Sequence, residues 1–140
     1  MIHKLKGGIY VLNEIKRGQA YLIDFGSRGN NIQEGIRPAI IVNNDLGSKY
    51  GNILSVVPLT TSIVKLHKKL PTHTILTPEN SGVKKTSIAM SEQLTVISKV
   101  QIVKEQPLFE LSDEIMEQII YNLMVQFNLI QCRLPQRYAV

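Results

Sequence analysis

The sequence predicts a mainly β fold, a small barrel or sandwich, with one α-helix at its C-terminal end packed against it. Three observations carry this. Between Arg17 and Val103 the apolar residues come in short, β-branched runs, each too short for a helix. Turn clusters of Gly, Pro, Asn and Asp separate the runs, and no helical pattern alternates with them as a parallel α/β sheet would need. Only beyond Ser112 does the apolar spacing change to a helical period.

Taken in order, residues 1–16, with their Gly7-Gly8 pair, read as an N-terminal extension. Gln19 to Phe25 is a strand that puts Tyr21, Ile23 and Phe25 on one face and ends at Gly26-Ser27. A polar loop punctuated by glycine, Gly29-Asn-Asn-Ile-Gln-Glu-Gly35, leads to a second strand, Pro38 to Val42. Asn43 to Gly47 is a turn cluster whose residues tolerate left-handed geometry. Asn52 to Val57 is a third strand, expected to stop at Pro58 because proline cannot donate into a central ladder. Residues 61–71 carry three lysines and a histidine and read as an exposed loop. Thr72 to Leu76 is a strand and Pro78 to Gly82 a turn; Ser87–Met90, Gln93–Ile97 and Val100–Val103 complete the β part.

The helix starts at Ser112, a suitable N-cap, with Asp113 and Glu114 against the positive end of its dipole. Its apolar residues fall at Ile115, Met116, Ile119, Ile120, Leu123, Met124, Phe127 and Ile130, one stripe that should pack on the barrel. At this spacing the methionines are core filler rather than a cofactor site. The organisation is therefore one domain over residues 17–130 and a tail over 131–140, without repeats or low-complexity tracts.

Composition narrows the function classes. A chain of 140 residues with 44% apolar and 19% charged residues is long enough to bury a core without metal or disulfides. The single cysteine, Cys132, has no partner for a bridge and no neighbours at zinc-ligand spacing. No window reaches the roughly 18 to 20 apolar residues of a membrane span, and Met1 to Gly8 lacks the apolar block of a signal peptide. A cytoplasmic protein is expected. The net charge of +5 is uneven: residues 1–75 hold ten Lys and Arg against four acids, residues 76–140 six against seven. A basic half suits an anionic partner, nucleic acid or an acidic polypeptide, and equally a solvated basic face.

Three histidines (His3, His67, His73), one cysteine and unclustered carboxylates give no metal-ligand set, so neither metal nor cofactor is expected. There is no nucleophile elbow and no phosphate-cradling glycine loop opening a helix. What remains is Arg37 beside the polar loop and Thr60 just past a strand. Arginine is a permanent planar cation that can clamp phosphate oxygens and stabilise developing negative charge, though it is a poor base. RNA brings its own nucleophile, the 2′-hydroxyl, so such a small constellation is chemically sufficient.

The ordered set Arg17-Gly18-Gln19, Gly35-Ile-Arg37-Pro38, Asn43-Asn44-Asp45, Val56-Val-Pro-Leu-Thr60-Thr61, Leu70-Pro-Thr-His73, Ser91-Glu92-Gln93 and Leu111-Ser-Asp-Glu114 resembles the MazF/PemK (Kid-like) toxins of type II toxin–antitoxin systems. The resemblance covers residues 17–130. It implies an SH3-like β-barrel of the CcdB/PemK type with a C-terminal helix, acting as a homodimer. It also implies a metal-independent, sequence-specific endoribonuclease that cuts single-stranded RNA, mRNA included, to 2′,3′-cyclic phosphate and 5′-hydroxyl ends. A cognate antitoxin would block the RNA groove with its disordered C-terminal segment.

By the same resemblance, Arg37 stabilises the phosphate and serves the leaving oxygen, and Thr60 binds the scissile phosphate. Glu92 and Gln93 would order the Arg37 loop or cap a strand end. Asn30, Asn31, Thr61, Lys65, Lys68 and Lys69 are the candidate RNA contacts, the lysines to backbone phosphate. The chain departs from the family in the polar loop and after Arg-Gly, and its loop over residues 61–71 is longer than usual. Family loops commonly read Gly-x-Glu-Gln-x-Gly-x-Arg-Pro; here Gln33 matches the Gln, Ile32 stands where the Glu would be, and the carboxylate is at Glu34, which would take an acid–base role only after a loop shift. Gln19 stands where Asp usually follows Arg-Gly, at the expected cost of a local hydrogen bond. Two further readings stay open: a non-enzymatic barrel toxin that binds a protein, as CcdB-type gyrase poisons do, and a degenerate member that only binds antitoxin or RNA.

Overall fold

The chain alternates about one long strand that changes partners halfway. The computed structural model describes the backbone of residues 2–5 and 8–11 and then residues 14–131, without the side chains of Ile63 and Leu66. Cys132 and the expected tail beyond Gln131 lie outside the described residues. Strands β1 (Ile2–Leu5) and β2 (Gly8–Val11) pair as a separate antiparallel hairpin within the expected extension. The main sheet, all antiparallel, runs β6 (His73–Leu76), β7 (Ser87–Met90), β5 (Ile53–Thr60), β4 (Ile36–Ile41), β3 (Gln19–Asp24), β9 (Phe109–Glu110), and β8 (Thr95–Ser98) also pairs with β5. It curls into a half-barrel.

Pro58 does not end its strand, contrary to the expectation. On the side away from β4, β5 pairs with β8 over Ile53–Val56 and with β7 over Leu59–Thr60. Val57 and Pro58 fall between the two partners, so a residue without an N–H forfeits no ladder bond on that side. The expected strand over 93–97 starts later, because Ser91–Gln93 coil into a 3-10 turn. Residues 99–101 form a second 3-10 turn in place of the last expected strand, of which Ile102 alone bridges to Ile23. The Gln19 side-chain oxygen accepts from the Lys16 N–H at 2.8 Å and the Tyr21 hydroxyl at 3.0 Å.

Three turn or loop segments contain short helices. In α1 (Asp45–Tyr50) the Asn44 side chain caps the Gly47 N–H at 2.8 Å. The loop over 61–71 contains α2 (Ile63–His67). Thr77 and Asn80 form a capping box for α3 (Pro78–Ser81), which stops at Gly82 with φ +83°. The long helix α4 (Asp113–Gln126) starts as predicted, with the Ser112 side chain accepting from the Ile115 N–H, but it ends before Ile130. There Asn128 turns left-handed at φ +59°, and the N–H groups of Asn128 and Leu129 close on the carbonyls of Val125 and Met124. These are the two bonds of a Schellman stop.

The sheet is buried on both faces, which explains the unbroken apolar runs of β4 and β5. Tyr21, Ile23, Phe25, Ala39, Ile41, Leu54, Val56 and Ile97 fill the inside of the curl. On the reverse face Ala20, Ile40, Val57, Leu59 and Ala89 meet Met116, Ile119 and Leu123 of α4. Each fully buried aliphatic side chain contributes about 1.5–3 kcal/mol. Asn122, buried on the same helix face, donates its amide to the His73 carbonyl at 3.2 Å and to Thr74 Oγ1 at 2.7 Å, which fixes α4 to β6. Among the described residues no helix is long and apolar enough to cross a membrane.

Candidate active site

Arg37 is the second residue of β4 and Thr60 the last of β5. The bonded ladder between these strands ends at the pair Ala39 and Pro58. Two more steps in the same register set Arg37 across from Thr60. Side chains alternate along a strand, so Arg37 shares a face with Ala39 and Ile41, and Thr60 with Val56. Both belong to the inner face of the curl.

Their chemistry differs. Arg37 is exposed, and its Nε donates to the Glu34 carbonyl at 2.8 Å. That bond sets the plane of the guanidinium and leaves its two terminal nitrogens without a partner among the described residues. Thr60 keeps only 7% of its surface. Its Oγ1 accepts from the Ser62 N–H at 3.2 Å, which leaves the hydroxyl hydrogen free to donate.

The polar loop is built by left-handed residues: Gly29 at φ +94°, Asn31 at +62° and Gly35 at +76°. They coil the chain back so that the Glu34 carboxylate accepts the N–H of Arg28 at 2.9 Å and of Gly29 at 3.3 Å. Those two bonds, with the Arg37 charge beside them, outweigh desolvation and hold this carboxyl below its ordinary value. Gln93 anchors the loop from outside, donating to the Asn31 carbonyl at 2.7 Å and accepting the Gln33 N–H at 3.4 Å. The Gln33 side-chain oxygen is buried and takes no hydrogen bond from the described residues.

Glu92 points elsewhere. Its carboxylate accepts from Thr72 Oγ1 at 3.2 Å and lies 2.7 Å from His73 Nε2. The Leu70 N–H donates to His73 Nδ1 at 3.1 Å, so Nε2 carries the proton and donates to Glu92. Burial pushes the Glu92 carboxyl up, but the His73 and Thr72 hydrogen bonds prevail and hold it below its ordinary value. Glu92 therefore ties β6 to the turn after β7, and the loop contact is made by Gln93.

Of the remaining candidates, Asn30 and Asn31 are exposed at the loop tip, and Lys68 and Lys69 are exposed beyond α2. Lys65 lies with its ammonium 3.4 Å from the Met90 sulfur. Thr61 is on the other side of the strand pair, where it lines a cavity of about 450 Å³ with Pro38, Leu59 and Val83. Sequence reasoning missed Arg28, whose Nη2 donates to Thr95 Oγ1 at 2.9 Å while its guanidinium lies 5.9 Å from the Phe25 ring centre. No local pattern could have paired Arg28 with Thr95, 67 residues away.

A curled antiparallel half-barrel closed by one helix, presenting a fixed cation and a hydroxyl at adjacent strand ends, defines a small β-barrel protein equipped to handle an anion. The profile of the PemK-like, MazF-like toxins of type II toxin–antitoxin systems matches residues 16–127, and the chain belongs to that family. It is 29% identical over 116 residues to Endoribonuclease EndoA of Bacillus subtilis (strain 168), covering 83% of this chain and 97% of the relative. Its fold is similar to that of MazF from Deinococcus radiodurans, with a TM-score of 0.68 at 16% identity over 83% of this chain and 98% of that one. It is similar too to a mycobacterial endoribonuclease solved in complex with its cognate antitoxin, with a TM-score of 0.63 at 21% identity over 86% and 100% of the two chains.

Proposed function

We propose that this chain is the toxin of a toxin–antitoxin pair and acts as a metal-independent endoribonuclease on single-stranded RNA, with Arg37 and Thr60 at its site. The observation that carries this reading is the register that puts a half-free guanidinium and an undonated hydroxyl on one face at neighbouring strand ends. The 2′-oxygen of the substrate attacks the adjacent phosphorus, and the phosphorus–5′-oxygen bond breaks. The 2′-hydroxyl proton leaves to water and the departing 5′-oxygen takes one up, giving a 2′,3′-cyclic phosphate and a 5′-hydroxyl. Arg37 stabilises the charge on the non-bridging and leaving oxygens, and Thr60 donates to the same phosphate. The reading carries with it a cognate antitoxin, a homodimer and a cytoplasmic setting.

The test is incubation of the purified protein with a long single-stranded transcript in excess EDTA, with Arg37→Ala alongside and all fragment ends mapped. Discrete cuts with 5′-hydroxyl ends, lost in Arg37→Ala, are the expected result. The variant should stay within about 0.5 kcal/mol of wild-type stability, as exposed substitutions do. Wild-type cleavage by Arg37→Ala overturns the site; intact RNA with folded wild-type protein overturns the activity.

A further inference from the structure

We propose that Glu34 is a positioning residue, one that sets Arg37 by closing the loop, and is neither the acid nor the base of the reaction. This rests on the nuclease reading above. One residue makes three bonds that together tie the start of the loop to the arginine. Its carboxylate takes the N–H groups of Arg28 and Gly29, and its carbonyl takes Arg37 Nε. Gln93 holds the middle of the loop and Thr95 holds Arg28. The loop thus has its start, middle and end fixed before any substrate arrives.

The same bonds unfit the carboxylate for proton transfer. A carboxylate that accepts two N–H groups is held ionised, so it has no proton to give, and its basicity is reduced. The charged group beside it is Arg37; Arg28 meets it through its backbone N–H, with its guanidinium turned to Thr95 and Phe25. Among the described residues, the segment packed on the loop meets it through the neutral Gln93 and Thr95, on Asn31, Gln33 and Arg28, while Glu92 is engaged with Thr72 and His73. A depressed carboxyl contributes its closure above its ordinary value and loses it as pH falls through the lowered one. The carboxylate's share of loop closure is therefore complete at neutral pH and is lost in acid.

The experiment compares wild type, Glu34→Gln and Glu34→Ala on an RNA oligonucleotide spanning a mapped cut, measuring kcat and KM across pH. Glu34→Gln keeps an acceptor oxygen for the two N–H groups and should lose no more than about fivefold in kcat, the worth of one ordinary hydrogen bond. It should also lose the carboxylate's contribution to the acid limb of the profile. Glu34→Ala should lose about 100-fold, mostly in kcat, as a displaced catalytic group does. The proposal is overturned if Glu34→Gln falls as far as Glu34→Ala, since that is the behaviour of an acid or base, or if Glu34→Ala keeps wild-type kcat. Hydrogen exchange at the Arg28 and Gly29 amides provides a readout that needs no RNA. It should quicken about tenfold in Glu34→Ala as the carboxylate's bonds to them are lost, and unchanged exchange overturns the closure even where no RNA is cut.

Discussion

The role proposed for Thr60 rests on a hydrogen bond it receives. The Ser62 N–H holds Oγ1 in place, and the hydroxyl hydrogen is left free to donate. Thr60→Ala should cost roughly 10- to 1000-fold in cleavage, the range around loss of one transition-state donor, whereas Thr60→Ser should recover most of it; equal activity in all three proteins would remove Thr60 from the site. Glu92 makes a different prediction. Its carboxyl is held low by His73, so its contribution to stability is present above its ordinary value of 4.5 and is lost as pH falls through the lowered one. Glu92→Gln should cost about 1.5–3 kcal/mol at pH 7, the worth of a hydrogen bond to a charged group, and much less near pH 3, measured by urea unfolding. At this scale the sequence was legible where a residue's place follows from its own strand: Arg37 and Thr60 do fall at neighbouring strand ends. It was illegible for the contacts of Glu34 and Glu92, whose partners are brought to them by left-handed turns and distant strands.

At the scale of elements, the loop before β4 depends on Gly35, where the chain turns at φ +76° and the N–H closes on the Gly26 carbonyl at 2.8 Å. An added Cβ would meet open space, so Gly35→Ala tests backbone strain alone. It should cost about 1–2 kcal/mol and weaken cleavage through Arg37; an unchanged melting temperature would show that the loop tolerates another path. The longer strands and α4 were readable from period, unlike the three short helices and the 3-10 turn at 99–101, and Tyr21, Ile23 and Phe25 do share a buried face. Boundaries were less so. Pro58 reads as a stop only if a strand has the same neighbours along its length, and β5 does not. β9, two residues long, has no period to read. The end of α4 is set by Asn128, whose left-handed turn an apolar stripe continuing to Ile130 conceals.

Over the whole molecule two apolar layers lie on opposite faces of one sheet, and α4 closes only one of them. Ile119, fully buried in that layer, is the sharpest probe of it. Ile119→Asp should remove about 3–5 kcal/mol, the cost of an unpaired buried charge, which is most of a typical domain's stability of about 5–15 kcal/mol; a soluble protein with a wild-type melt would put the core on another helix face. The ladder of β5 has a further consequence, in the timing of synthesis. Strands β3, β4 and β5 are consecutive, and they can pair once Thr60 has left the ribosome. The partner for Ile53–Val56 lies at Thr95–Ser98 and emerges roughly 2 to 8 s later at about 5–20 residues per second. For that interval the nascent chain carries Arg37 and Thr60 on strands already paired, beside an edge still open to any other strand. The barrel is vulnerable first to its own neighbours on the polysome, and its safest moment begins only when β8 arrives.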